Sequence, residues 1–163
     1  MAYMEWVSEV AVPVPHAALS NADWADAWSV EIEQPFSTAK SAGDAIVENF
    51  PIWTYPLLAL RQIIMFPFGL MGPKDAEKLP VEKIGFFPIV SESQDRVIAG
   101  FDDKHLDFRI IVEIEPRDKS QLVRLTTVIR RHNWVGRAYL ASILPFHRLI
   151  IKLALDKTRK NQM

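Results

Sequence analysis

The stretch LDFRIIVEIEPRDKSQLVRLTTVIRRH, residues 106–132, decides how this chain is read. Two segments alternate apolar and polar residues, and PRDKSQ between them supplies turn chemistry. Side chains on a strand point to opposite faces in turn, so a pairing register can be tested by whether both faces match. Pairing Ile114 with Val123 brings Val112 to Leu125, Ile110 to Thr127 and Phe108 to Ile129. On the opposite face Glu113 then meets Arg124, Asp107 meets Arg130 and His105 meets His132. A slip of one residue sets Val112 against Arg124 and Glu113 against Val123. The pattern therefore selects the first register for an antiparallel hairpin.

The same period of two extends outward. RVIAGFD at 96–102 joins the hairpin, with Phe101 expected opposite Leu106, Ala99 opposite Phe108 and Val97 opposite Ile110. GFFPIVS at 85–91 precedes it. Near the start, ADWADAWSVEIE at 22–33 puts Trp24, Asp26, Trp28, Val30 and Ile32 on one face, which reads as a strand with one buried side. Five strands are thus visible, and residues 1–22 read as an extended N-terminal arm.

Elsewhere the period changes to that of helices. Ser37 or Thr38 can cap a helix that Pro51 stops. Pro56 opens YPLLALRQIIMF, where Leu57, Leu60 and Ile64 recur at helical spacing. GPKDAEKLPVEK, residues 72–83, reads as a charged loop. The chain closes on a long amphipathic helix that Asn133 can cap, with Tyr139, Ile143, Phe146, Ile150 and Leu153 in one stripe and Pro145 inside it. Strand, two helices, meander and long helix make an α+β fold, helices laid on one face of an antiparallel sheet.

Bulk properties exclude several functions. The 163 residues are the usual size of one domain, and 1–163 is read as a single one. A net charge of −1 gives no basic surplus for nucleic acid. The absence of cysteine removes disulfides, thiolate chemistry and Cys-ligated metals. The N-terminus has no basic region of a secretory signal, and uninterrupted apolar runs are too short for an integral membrane span. The cytoplasm is the expected compartment, and no cofactor is expected.

The segment DDKHLDFR, 102–109, is the most site-like string. The register sends Leu106 and Phe108 to the core and His105, Asp107 and Arg109 outward, as ion pairs on a solvated face. Two other readings compete: a metal held by His105, His132 and Asp107, and a homodimer contact through the outer-face residues Ile89, Ile98, Ile111 and Val128.

DWADAW, PLLALR, GFFPIV, DDKHLDFR, LTTVIRRHN, GRAYL and PFHR together resemble a bacterial domain-of-unknown-function family, over about residues 7–155. That family is similar to the START-like, or helix-grip, superfamily, which includes pollen-allergen-like and polyketide-cyclase-like proteins. The resemblance implies a curved antiparallel sheet wrapped around the C-terminal helix, six or seven strands, and a ligand cavity between sheet and helix. Members are also found joined to reductase-like domains, which makes a reductase-like partner another expectation.

On that architecture the inward wall would include Phe86, Phe101, Phe108, Ile110, Leu125, Tyr139 and Ile143. Polar residues breaking it are the candidate ligand contacts. Asp26, between two tryptophans, is a candidate proton donor or acceptor, or else a partner for Arg131. Arg61 can bind an anionic group or lie along apolar surface with its head in water. Thr127 is a candidate contact or simply a good strand former. Tyr139 can offer its hydroxyl to a ligand or to backbone. His147 is a candidate contact, or a structural histidine on a carbonyl freed by Pro145. The expected function is binding of a small hydrophobic or amphipathic molecule. The alternatives are a cyclase- or hydrolase-type enzyme using Asp26 with Tyr139 or His147, and an interaction module.

Overall fold

The computed structural model describes residues 6–68, 81–85 and 87–163. The strands are β1 (Val7–Val10), β2 (Trp24–Ile32), β3 (Lys83–Ile84), β4 (Phe87–Glu92), β5 (Arg96–Asp102), β6 (Leu106–Pro116) and β7 (Gln121–Arg131). The helices are α1 (Ala39–Glu48), α2 (Thr54–Met65) and α3 (Trp134–Asn161). The strands form one curved antiparallel sheet of seven, in the order β1-β2-β7-β6-β5-β4-β3, and the helices lie on it in a helix-grip layout. The α+β reading therefore holds. The two strands beyond the five expected are β1, from the arm, and β3. At four and two residues they are too short to display alternation.

The long hairpin adopts the expected register, from Leu106 opposite Arg131 to Pro116 opposite Gln121. The β5–β6 pairing does not. Phe101 faces Phe108, Ala99 faces Ile110 and Val97 faces Val112, a shift of two residues from expectation. The expected pairing would set Asp103 against its own neighbour Lys104 and leave nothing for the turn. A hairpin needs at least two loop residues, and Lys104 and His105 fill that role here, closed by the Asp103 amide on the Leu106 carbonyl at 3.0 Å.

Ile89 also departs from expectation. It pairs with Ala99 and packs against the inner core. A register shift between Ile89 and Ser91 breaks the alternation that seemed to place it outside. Ile98, Ile111 and Val128 do lie on the outer face, but Ala18, Leu19 and Ala22 of the N-terminal segment pack over them, and Ile111 and Val128 are fully buried. The arm is thus both an edge strand and a cover for the sheet.

The inner face joins Val30, Val97, Val112 and Val123 to Ala39, Ala42 and Ile46 of α1 and to Ile151, Ala154 and Leu155 of α3. Thr38 caps α1 in a reciprocal capping box with Ser41. Gln121 holds the β2–α1 link by accepting from the Phe36 amide and donating to its carbonyl, both at 3.0 Å.

Asn133 caps α3 by accepting from the Gly136 amide at 3.2 Å, while its own amide donates to His105 Nδ1 at 2.9 Å. Gly136 is required at this crossing: a Cβ there would lie 2.2 Å from the His105 carbonyl oxygen. The rest of DDKHLDFR is equally structural. Arg109 bonds Asp102 at 2.8 Å and Asp107 bonds His132 at 2.9 Å. Among the described residues no group of three or more His, Asp or Glu could hold a metal ion.

Candidate functional site

The buried residues of α3 fall in two sets, Val135, Gly136 and Leu140 at its start and Ile151 through Thr158 near its end. Between them residues 141–150 contain none. The N-terminal set packs on Leu106 and Ile129, the C-terminal set on the main core. The intervening span passes over open space. That space is a cavity of about 390 Å³, walled by the sheet below, α1 on one side, α2 on another and the middle of α3 above.

Its lining is predominantly apolar. From the sheet come Phe87, Phe101, Phe108, Ile110 and Leu125, with Thr127 among them. Phe108 meets Phe101 and Phe87 edge to face, with ring centroids 4.4 Å and 5.6 Å apart, which stiffens that wall. Phe86 lies outside the described residues. From α3 come Tyr139, Ile143 and His147, and from α2 come Thr54, Leu57, Leu58 and Arg61.

The polar groups form three stations. At the first, Arg61 Nε donates to the Tyr139 hydroxyl at 2.8 Å, and its guanidinium sits 5.1 Å from the Tyr139 ring centre. Arg61 also donates to Gln62 at 3.2 Å. Neither the free Arg61 head nor the backbone-bound Tyr139 of the sequence reading is found; the two satisfy each other and tie α2 to α3.

At the second station His147 Nε2 lies 3.2 Å from Asp26 Oδ1, and the other Asp26 oxygen accepts from Trp28 Nε1 at 3.2 Å. Trp24 meets the His147 ring edge-on at 5.9 Å. The partner of His147 is therefore a carboxylate and not a carbonyl near Pro145. Arg131, the other partner considered for Asp26, pairs with Asp23 at 3.3 Å. His147 reaches the cavity wall, whereas Asp26, only 4% exposed, stands behind it. Asp26 is thus a support for His147 and does not touch the cavity, while Tyr139 belongs to the Arg61 station.

The third station is Thr54, which the sequence reading missed. It is 4% exposed and lines the cavity, and its hydroxyl oxygen has no hydrogen-bond partner. A buried unpaired hydroxyl is disfavoured by about 1–3 kcal/mol. The signal available in the sequence was slight: a hydroxyl residue entering a helix that is mostly apolar apart from Arg61 and Gln62.

No curated protein and no solved structure matches the chain. The family model described as Protein of unknown function (DUF2867) matches residues 18–154, most of the chain. The chain therefore belongs to the DUF2867 family.

Proposed function

We propose that this protein binds a small hydrophobic or amphipathic molecule in the cavity between the sheet and α3. One observation carries the reading: an apolar cavity of about 390 Å³ retains a buried, unpartnered Thr54 hydroxyl on its wall. Ligand sites typically span about 300–1,000 Å³ and combine apolar walls with a few convergent polar groups. A ligand oxygen or nitrogen at Thr54 would supply the missing partner, and its apolar body would cover the phenylalanines. Arg61 and Tyr139 offer a cationic donor pair to an acidic end group. Likeness of the layout to the START-like superfamily supports the same reading.

The test is native mass spectrometry of purified protein before and after organic extraction, joined to titration with anilinonaphthalene sulfonate, an apolar ring system with one anionic group. Saturable dye uptake that an extracted lipid displaces supports the reading. No mass shift together with no dye uptake refutes it.

A second reading rests on a separate observation, the Asp26–His147 pair at 3.2 Å with the imidazole on the cavity wall. A carboxylate that orients an imidazole is the arrangement of a general base. Turnover of an ester or enolisable ketone that His147→Gln abolishes without loss of dye binding would favour an enzyme.

A further inference from the structure

Helix α2 is apolar on both of its faces. Thr54, Leu57, Leu58 and Arg61 face the cavity. The other side carries Tyr55 and Ile63, flanked by Ile52 and Phe66, and every one of these is exposed. Ile52 is 84% exposed, Ile63 73% and Phe66 77%. A helix apolar all round belongs inside a protein core or against some other apolar phase. Here the core lies on one side only.

The outer side of α3 continues the same surface. Trp134 and Leu149 are exposed large apolar residues on it, and the Arg61–Tyr139 bond ties the two helices together. By length and composition α3 contains an 18-residue window apolar enough to cross a membrane, of which 22% is buried, and Tyr139, Ile143, Phe146 and Ile150 of the helix line the cavity. The sequence reading counted unbroken apolar runs and so passed over this window, which two cations interrupt.

Charge separates the candidate occupants. Residues 51–67 contain no acid. Residues 134–161 contain six Lys and Arg against one acid, Asp156, which Lys160 holds at 2.7 Å. Arg137 and Arg148 are exposed on the outer side of α3. The whole chain is nevertheless at −1, so these two stretches carry a local excess of positive charge. A second copy docked symmetrically would set positive charge against positive charge, since among the described residues of α2 and α3 the one acid, Asp156, is already held by Lys160. An anionic bilayer offers both complements: an acyl layer for the apolar side chains and a negative surface for the arginines.

We propose that the outer faces of α2 and α3 dock this protein peripherally on an anionic lipid bilayer. Ile63 and Phe66 enter the acyl boundary, and Arg137 and Arg148 face the head groups. The proposal concerns the outer faces and stands whatever the cavity holds.

The experiment is flotation of the full chain with phosphatidylcholine vesicles, with and without phosphatidylglycerol. Protein should float with the phosphatidylglycerol-containing vesicles, float poorly with phosphatidylcholine alone, and be released by added salt. The variant Ile63→Glu with Phe66→Glu should lose at least about tenfold in vesicle affinity with an unchanged circular dichroism spectrum and melting curve, because both side chains are already in water. Arg137→Glu with Arg148→Glu should abolish the preference for anionic vesicles. Failure of the wild type to float, or equal flotation of the apolar variant, overturns the proposal. So does a wild-type dimer that Ile63→Glu with Phe66→Glu converts to monomer in the absence of vesicle binding. Dye uptake, measured in vesicle-free buffer, reads the cavity separately.

Discussion

The Asp26 carboxylate and the His147 imidazole meet at 3.2 Å across the junction of β2 and α3, although 121 positions separate them in the chain. One carboxylate serves two donors there, His147 and the Trp28 indole. Asp26→Ala strips the acceptor from both and should cost about 1–3 kcal/mol. Asp26→Asn keeps one acceptor oxygen and should cost less. Urea unfolding of the two variants compares them, and equal losses would show that the outline and single acceptor oxygen kept by asparagine contribute nothing.

Thr54 invites a substitution that improves the empty protein. Thr54→Val removes an unpaired buried hydroxyl while keeping the branched outline. Stability without ligand should rise by about 1 kcal/mol. Affinity for ligands with a polar end should fall. A variant that loses stability instead would mean that the hydroxyl has a partner in solution.

Gly136 reverses the usual helix preference. Alanine inside a helix is favoured over glycine by about 1 kcal/mol. At this position its Cβ would sit 2.2 Å from the His105 carbonyl oxygen, a backbone atom that cannot step aside without moving the β5–β6 turn. Gly136→Ala should therefore lower the melting temperature, with a net cost of about 1–3 kcal/mol. A rise would show that α3 can shift away from the turn.

Ile143 lies on the α3 stripe over the cavity. Replacing it with tryptophan fills space and leaves the packed ends of the helix alone. Dye uptake should weaken by about tenfold, roughly the 1.4 kcal/mol that such a factor represents. Unchanged uptake in a folded Ile143→Trp variant would put the dye elsewhere on the protein.

The sequence was most legible where a pattern ran long. Eleven-residue strands on both sides of the PRDKSQ turn left one acceptable register, and that register is found. Asn133 and Thr38 were readable as caps because capping is a local chemistry. The β5–β6 register was not, since a shift of two residues preserves every face and matching faces cannot detect it. Ile89 escaped because one irregularity in β4 reverses the parity of all that precedes it. Most of the aromatic wall was legible from alternation. The pairings Asp26 with His147 and Arg61 with Tyr139 were not, because they depend on where two helices come to rest on the sheet.

Helix α3 resembles a beam laid on two piers, with Leu140 set in one and Ile151 in the other. One pier is Leu106 and Ile129 beneath Leu140, the other the main core beneath Ile151, and Leu106, Ile129 and Ile151 also form ends of the cavity wall. Pro145 stands near the middle of the unsupported length, where its ring removes one rung of the backbone ladder. The interruption of the ladder thus falls at mid-span, away from both packed ends.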